Sequence, residues 1–144
     1  MRILVDAGIP VGIGIAPIIP GLNDADIPGL LKEAKRCGAT DAFHALLRLP
    51  GSVRSVFFDR LRQHLPLKLE KIEHRIRETR QGRLNDSRFG HRHLGEGTYW
   101  QAIEQVWDIW VRRLGFNRPE PGERSAATFR RPSYPGDQQE FGFA

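Results

Sequence analysis

The chain has 144 residues, of which 40% are hydrophobic and 27% are charged, and its net charge is +5. This length suits one domain or part of a larger one, and the hydrophobic content excludes a wholly disordered chain. Cys37 is the only cysteine, so the chain cannot form an internal disulfide or a multi-cysteine metal site. The longest apolar run, residues 9–19, is short and contains prolines, which excludes a bilayer span. We see no secretory signal and expect a cytoplasmic protein with no membrane partner.

The charge is concentrated in the middle of the chain. Residues 48–93 carry 12 basic and 5 acidic side chains, whereas the segments on either side each carry one more acid than base. Four of the five histidines also lie in this middle third. Such a balance favours an anionic partner such as nucleic acid, although a solvated, arginine-rich helix face would produce the same balance.

The first third predicts a strand–helix–strand unit. Residues 1–8 resemble the last turns of a helix that stops at Gly8, and the β-branched run 9–19 predicts a strand buried on both faces. A helix follows and stops at Gly38, with Asn23, Asp24 or Asp26 as its N-cap. A second apolar run, 42–49, then predicts a strand parallel to the first.

The rest of the chain predicts helices. Apolar stripes indicate helices over 52–65 (Val53, Val56, Phe57, Leu61 and Leu65) and 66–80 (Leu69, Ile72 and Ile76), and the arginines and lysines of the second, Arg80 included, lie off its stripe. A glycine-rich, arginine-rich loop over 81–97 separates them from a third helix, which a capping box at Thr98–Gln101 opens and Gly115 stops. The apolar stripe of this third helix, which predicts its core face, is Tyr99, Ile103, Val106, Trp107, Trp110 and Leu114. Residues 117–144 contain several prolines and predict a tail. The domains are therefore the two-strand unit 1–51, the helical extension 52–116 and the tail.

Two parallel strands alone would leave open edges and apolar faces with too few helices to cover them. The sequence therefore predicts the end of a larger α/β fold.

Two places could carry chemistry. The segments Ala16–Asp24 and Arg48–Gly51 follow the two strands, and ligands of parallel sheets bind at the carboxyl ends of the strands; a tight connection with no ligand is the plain alternative. In the basic loop, arginine forks and nearby aromatic rings could bind an anion or substrate, and a solvated loop is the alternative there. The candidate anion-binding residues are Arg83, Arg88, His91, Arg92 and Tyr99. We identify no catalytic residue and no metal site, and Gly12-x-Gly14 lies inside a strand and is not a dinucleotide fingerprint.

Three segments, AGIPVGIGIAPIIPGLND, LLRLPGSVRSVF and NDSRFGHRHLGEGTY, resemble the C-terminal third of radical S-adenosylmethionine (radical-SAM) proteins similar to DNA repair photolyases and spore photoproduct lyase. The resemblance spans roughly residues 1–116. It implies that the two strands are the last two of a partial (β/α)6 barrel, followed by a mainly helical extension. It also implies that these residues border the adenosyl group of the cofactor: Ala16, Pro17, Ile18, Pro20, Arg48, Leu49 and Pro50.

The family binds a 4Fe–4S cluster through a Cys-x-x-x-Cys-x-x-Cys loop, and this chain has Cys37 alone. We therefore expect it to hold neither cluster nor cofactor by itself and to be inactive alone. A truncated gene or half of a split enzyme, with an N-terminal radical-SAM half as partner, would explain this. Two alternatives remain: a non-enzymatic nucleic-acid or anion-binding module that uses the basic middle third, and a scaffold piece that self-associates through an exposed sheet edge.

Overall fold

The computed structural model describes residues 1–88 and 90–118, so the predicted tail lies almost entirely outside the described part. The chain is mixed α/β, with five α-helices and a two-stranded parallel sheet. In chain order the elements are α1 (Arg2–Asp6), β1 (Gly12–Ile18), α2 (Ile27–Arg36), β2 (Asp41–Leu46), α3 (Val53–His64), α4 (Leu69–Glu78) and α5 (Gly97–Leu114). Short 3-10 turns, Asp24–Asp26 and Pro66–Lys68, precede α2 and α4.

The predicted helix ends are confirmed by their backbone geometry. Gly8, Gly38 and Gly115 all have positive φ angles just after a helix. After α2, the Gly38 N–H donates to the Lys35 carbonyl and the Ala39 N–H donates to the Ala34 carbonyl. This pair of bonds is the Schellman arrangement, for which glycine is the preferred residue because it has no Cβ.

The predicted helix starts are partly wrong. No side chain caps α2 or α5, and α5 begins at Gly97, after Glu96 as N-cap, rather than in the predicted Thr98–Gln101 capping box. Asn23 and Asp24 instead bind backbone N–H groups of the turn that follows β1, since short polar side chains serve turns as readily as helix starts.

Both strands lie where the apolar runs predicted, but they are shorter and only one face of the sheet is buried. On that face, Ile15, Ile18, Ala42 and Leu46 pack under α2 and α5, together with Ile27, Leu31, Ile103 and Trp107. The other face carries Gly12, Gly14 and Ala16 of β1 and Phe43 of β2, all exposed. The prediction of strands buried on both faces is therefore wrong for the described chain, because no helix covers the second face there.

The helices α3 and α4 form a second apolar cluster beyond the end of β2. The buried residues of this cluster are Leu47, Leu49, Phe58, Leu61, Ile72 and Ile76. In α3 the stripe is partly wrong: Leu61 is buried as predicted, but Val53 and Val56 are exposed and Phe58 is buried. In α5, Ile103 and Trp107 are buried as predicted, whereas Val106 is exposed and Trp100 is buried.

The outer edge of β2 is occupied at both ends. The Asn117 side chain accepts from the Ala42 N–H at 2.8 Å and donates to the Ala42 carbonyl at 2.9 Å, as a neighbouring peptide group would. Four residues further along the strand, the Leu46 N–H donates to the His93 carbonyl. Within residues 1–88 and 90–118 no strand pairs with the outer edge of β1, so the open sheet edge belongs to β1.

Candidate functional site at the carboxyl ends of the strands

The two segments that follow the strands meet, as the parallel arrangement predicts. The Leu47 N–H donates to the Ile18 carbonyl at 2.9 Å, just beyond an irregularity in the ladder between Ile15 and Ile18. The Ala16–Pro17 peptide bond within that irregularity is cis. The carboxyl ends of β1 and β2 therefore form one continuous surface.

Side chains of the turn after β1 hold its backbone in place. The Ile19 N–H donates to Asn23 Oδ1 at 2.7 Å, and the Gly21 N–H donates to Asp24 Oδ1 at 3.0 Å. Gly21 has a φ of +80°, a conformation that favours glycine. The turn therefore uses these two N–H groups internally.

The seven residues assigned to the cofactor by resemblance differ in accessibility. Ala16, Pro17 and Pro50 are exposed and Arg48 is half-buried, whereas Ile18, Pro20 and Leu49 are buried. The buried three can offer a ligand at most their backbone, so contact with a ligand would fall mainly to the other four.

The basic loop 81–97 lies along the end of β2 and contains no helix or strand before Gly97 in its described part. Besides the bond from Leu46 to His93, the Leu49 N–H donates to Asn85 Oδ1 at 3.0 Å, and the Glu96 N–H donates to the Thr79 carbonyl. The loop therefore packs against the carboxyl-end surface. The sequence predicted a loop here but not which surface it contacts.

Within the loop, Arg88 is engaged with acidic side chains. Its guanidinium donates to both oxygens of Asp86, at 2.6 Å to Oδ2, and lies 3.6 Å from Glu96. The Arg88 side chain and backbone N–H hold the pKa of Asp86 well below its usual range. Because this pairing uses the guanidinium, Arg88 is a poor anion ligand in this conformation. The Arg88 backbone N–H also donates to Asp86 Oδ1 at 2.9 Å, so Asp86 holds the backbone of the loop as well.

The other predicted anion ligands do not converge on one point. Arg83 is exposed and donates to Gln81, His91 is exposed, and Arg92 donates through Nε to His93 Nε2. The Tyr99 hydroxyl interacts with the turn after β1 rather than with the loop arginines.

Tyr99, Asp24 and Arg75 form a cluster that the sequence did not reveal. The Tyr99 hydroxyl donates a hydrogen bond to Asp24 Oδ2, and the Arg75 guanidinium lies 4.1 Å from the centre of the tyrosine ring. Burial raises the pKa of Tyr99 to about 12, and the hydrogen bond to Asp24 adds to the shift. Tyr99 therefore stays protonated and ties α5 to the turn after β1. The two partners are 75 residues apart, which no local pattern can show.

Next to this cluster lies an apolar groove of about 320 Å³ between the start of α2 and α5. Pro28, Ala102, Ile103 and Val106 line it, and Asp24 stands at its polar end. The sequence placed Val106 in the core, so the groove was not predicted.

His44 is a second group that sequence reasoning missed. Its ring makes edge contacts with Trp100 and Trp107, with centroids 5.7 and 4.4 Å away, and its Nδ1 is buried with no partner in the described structure. Burial lowers the pKa of His44, and the charges of Glu104 and Asp108 oppose that shift.

The residues present do not suit an iron–sulfur cluster. Cys37 is the only cysteine of the chain, so it supplies at most one of three thiolates. It ends α2, with its Sγ 3.8 Å from Glu33. Among residues 1–88 and 90–118 no three His, Cys, Asp or Glu side chains come together as a metal site. No helix of that part is long and apolar enough to span a membrane.

Comparisons with protein-family models, with curated proteins and with solved structures find no match to this chain.

Proposed function

We propose that the chain is the C-terminal portion of a radical-SAM enzyme of the DNA-repair-photolyase-like family. It would supply the last two strands of a partial (β/α)6 barrel and be inactive alone. The resemblance of its three segments suggests the family. One structural observation supports the proposal: among the described residues the parallel sheet has a single covered face and an unpaired β1 edge.

The two faces of the sheet are compatible with such a barrel. A barrel strand has helices on its outer face and faces the barrel interior with the other. Here α2 and α5 cover one face, and the open face carries the small residues Gly12, Gly14 and Ala16, with the Phe43 ring lying over Gly14.

S-adenosylmethionine would meet the chain at the carboxyl ends of the strands, where the exposed residues Ala16 and Pro17 and the half-buried Arg48 are accessible. When bound with its cluster, this cofactor supplies a 5′-deoxyadenosyl radical. Because one cysteine cannot hold the cluster, a separate N-terminal half would have to supply the thiolates, and no step of that chemistry is assigned to residues of this chain.

The test begins with the DNA upstream of the Met1 codon and looks for a transcribed reading frame that encodes Cys-x-x-x-Cys-x-x-Cys. Both pieces are then expressed together without oxygen. We expect a complex with an iron–sulfur absorption spectrum and formation of 5′-deoxyadenosine. The absence of such a frame, or a frame whose product neither binds this chain nor forms a cluster with it, would overturn the proposal.

A matched pair of variants makes the test specific for the sheet. A side chain at Gly14 would meet the Phe43 ring, since a Cβ there would lie 2.5 Å from it, whereas nothing lies within 4 Å of a Cβ at Gly29 on α2. We expect Gly14→Leu to weaken assembly with the N-terminal half and Gly29→Leu to preserve it.

The second candidate function is a nucleic-acid-binding module, which the +7 charge of residues 48–93 favours. Several cations of this region are exposed, namely Arg54, Arg60, Arg62, Lys68, Lys71, Arg77 and Arg83. Such a module would bind labelled single-stranded DNA with an affinity that falls steeply as salt rises.

Arg83→Gln tests this candidate better than a change at Arg88, which would also release Asp86 and Glu96 from their ion pairs. Arg112→Gln, an exposed position on α5 with no ion pair in the described structure, is the control. If the two variants bind DNA as tightly as the wild-type chain, the nucleic-acid candidate is ruled out.

A further inference from the structure

Arg80, just after α4, is a buried charged group that forms no ion pair in the described structure. It is only 4% exposed, although the sequence placed it off the apolar stripe of its helix. Its Nη2 donates to two carbonyl oxygens, of Leu47 at 2.8 Å and of Arg92 at 3.1 Å, and its Nε has no acceptor in the described structure. Neutral carbonyl groups accept hydrogen bonds but do not neutralise the positive charge. A buried ion without an opposite charge beside it raises the free energy of the folded state.

Arg48 repeats the same pattern from the neighbouring segment. It follows Leu47, whose carbonyl Arg80 holds, and its Nε is also buried without an acceptor. Within residues 1–88 and 90–118 no hydrogen bond or ion pair to Arg48 is formed. Two guanidinium groups, each with a buried Nε that lacks an acceptor, thus lie near enough for their charges to interact at the carboxyl end of β2.

The neighbouring charged groups do not neutralise the positive charge of Arg48 and Arg80. Burial lowers the pKa of Arg80, the charge of Arg48 lowers it further, and Asp86 opposes both. Asp86 is the carboxylate that acts on Arg80, yet both of its oxygens are hydrogen-bonded to Arg88. The region therefore keeps a net positive charge that an added anion would neutralise.

We propose that Arg48 and Arg80 form a binding site for a small oxyanion, either a phosphate or a carboxylate, at the carboxyl end of β2. Guanidinium forks recognise both groups through paired, charge-assisted hydrogen bonds. Arg80 is fixed by its two hydrogen bonds to carbonyl groups, whereas Arg48 is half-buried and reaches solvent. The anion would therefore enter from solvent at Arg48. The Arg48 side chain would then rotate so that both guanidinium groups contact the anion. The site uses only residues of this chain and does not depend on the proposed radical chemistry.

The experiment is a calorimetric titration of the full chain with inorganic phosphate, and separately with acetate, at constant ionic strength balanced with chloride. We expect saturable binding to one site for at least one oxyanion, and the preferred anion identifies the ligand class. Arg48→Gln should weaken binding about tenfold or more because one charge-assisted contact is lost, and Arg48→Lys should weaken it less. Arg60→Gln, an exposed arginine that contacts Gln63 on α3, should bind like the wild-type chain.

Circular dichroism of each variant establishes that it is folded. The proposal is overturned if neither oxyanion binds saturably, if chloride binds as well as they do, or if Arg48→Gln and Arg60→Gln bind alike. None of these outcomes bears on the assembly test above, which measures complex and cluster formation with an N-terminal half.

Discussion

The two faces of the parallel sheet differ in the size of their side chains and in what covers them. The covered face presents Ile15, Ile18 and Leu46 to α2 and α5, and these residues are at most 6% exposed. On the open face, by contrast, β1 presents Gly12, Gly14 and Ala16, and the ring of Phe43 on β2 is 65% exposed.

This difference indicates that the two faces serve different purposes. The covered face holds the described chain together by burying apolar area, which is the dominant favourable term in folding. The open face contributes little to that core, and its small residues allow close approach. Since parallel sheets usually have both faces covered, the open face is where further structure would be expected.

The largest effect should come from removing bulk beneath the covered face. Leu31 is fully buried on α2 and its neighbour Leu30 is 43% exposed. We expect Leu31→Ala to lower the free energy of unfolding by about 2–5 kcal/mol, and Leu30→Ala to change it far less. Urea denaturation of both variants measures the difference, and equal losses would contradict the assignment of the core.

A smaller effect should follow from opening the outer edge of β2. Asn117→Ala removes two hydrogen bonds to Ala42 and leaves its N–H and carbonyl unpaired. We expect a loss of about 1–3 kcal/mol and faster amide exchange at Ala42. Asn85→Ala removes one hydrogen bond, from the Leu49 N–H, and should lower the free energy of unfolding by less. A larger decrease for Asn85→Ala than for Asn117→Ala would show that Asn117 is not the main stabiliser of this edge.

Phe43→Ala on the open face should be milder still in the chain alone, below about 1 kcal/mol, since an exposed ring loses little burial. The same change should weaken assembly with an N-terminal half, where the ring would become covered. A loss as large as that of Leu31→Ala, measured by denaturation of the chain alone, would mean that the open face is already part of the core.

The smallest effect is a dependence of stability on pH from His44. Its lowered pKa in the folded state means that the unfolded chain binds the proton more readily. The contribution of neutral His44 is therefore complete above the unfolded value of about 6.5 and is lost as pH falls from there toward the folded pKa. Urea midpoints across this range should show a shallower slope for His44→Gln than for the wild-type chain. The variant His64→Gln, at an exposed position on α3, should keep the wild-type slope, and equal slopes in both variants would remove His44 as the cause.

Local patterns predicted most of the elements because their signals lie within a few residues. The apolar period and the glycine at position 38 define α2, and the β-branched run defines β1. Burial was predicted less well. In α5, Ile103 and Trp107 are buried as predicted, but Val106 is exposed and Trp100, which lies off the predicted stripe, is buried. A sequence stripe indicates that one face is apolar, whereas the neighbouring elements determine which side chains are enclosed.

The candidate site was predictable only in its location. Parallel strands imply that their carboxyl ends meet, and the bond from Leu47 to Ile18 confirms it. The burial of Arg80 was not predictable, because an arginine in a helical pattern normally faces solvent and its carbonyl partners lie 33 and 12 residues away. The engagement of Arg88 with Asp86 could have been suspected from the spacing Asp-x-Arg, since aspartate often binds the backbone two residues ahead.

The most direct test of the proposal that a second chain extends the sheet is amide hydrogen exchange along β1, measured on the chain alone and on the chain co-expressed with an N-terminal half. The account predicts that the β1 amides pointing away from β2 exchange rapidly in the chain alone and become protected in the complex. Strong protection of those amides in the monomeric chain would contradict it, because the edge would then already be paired.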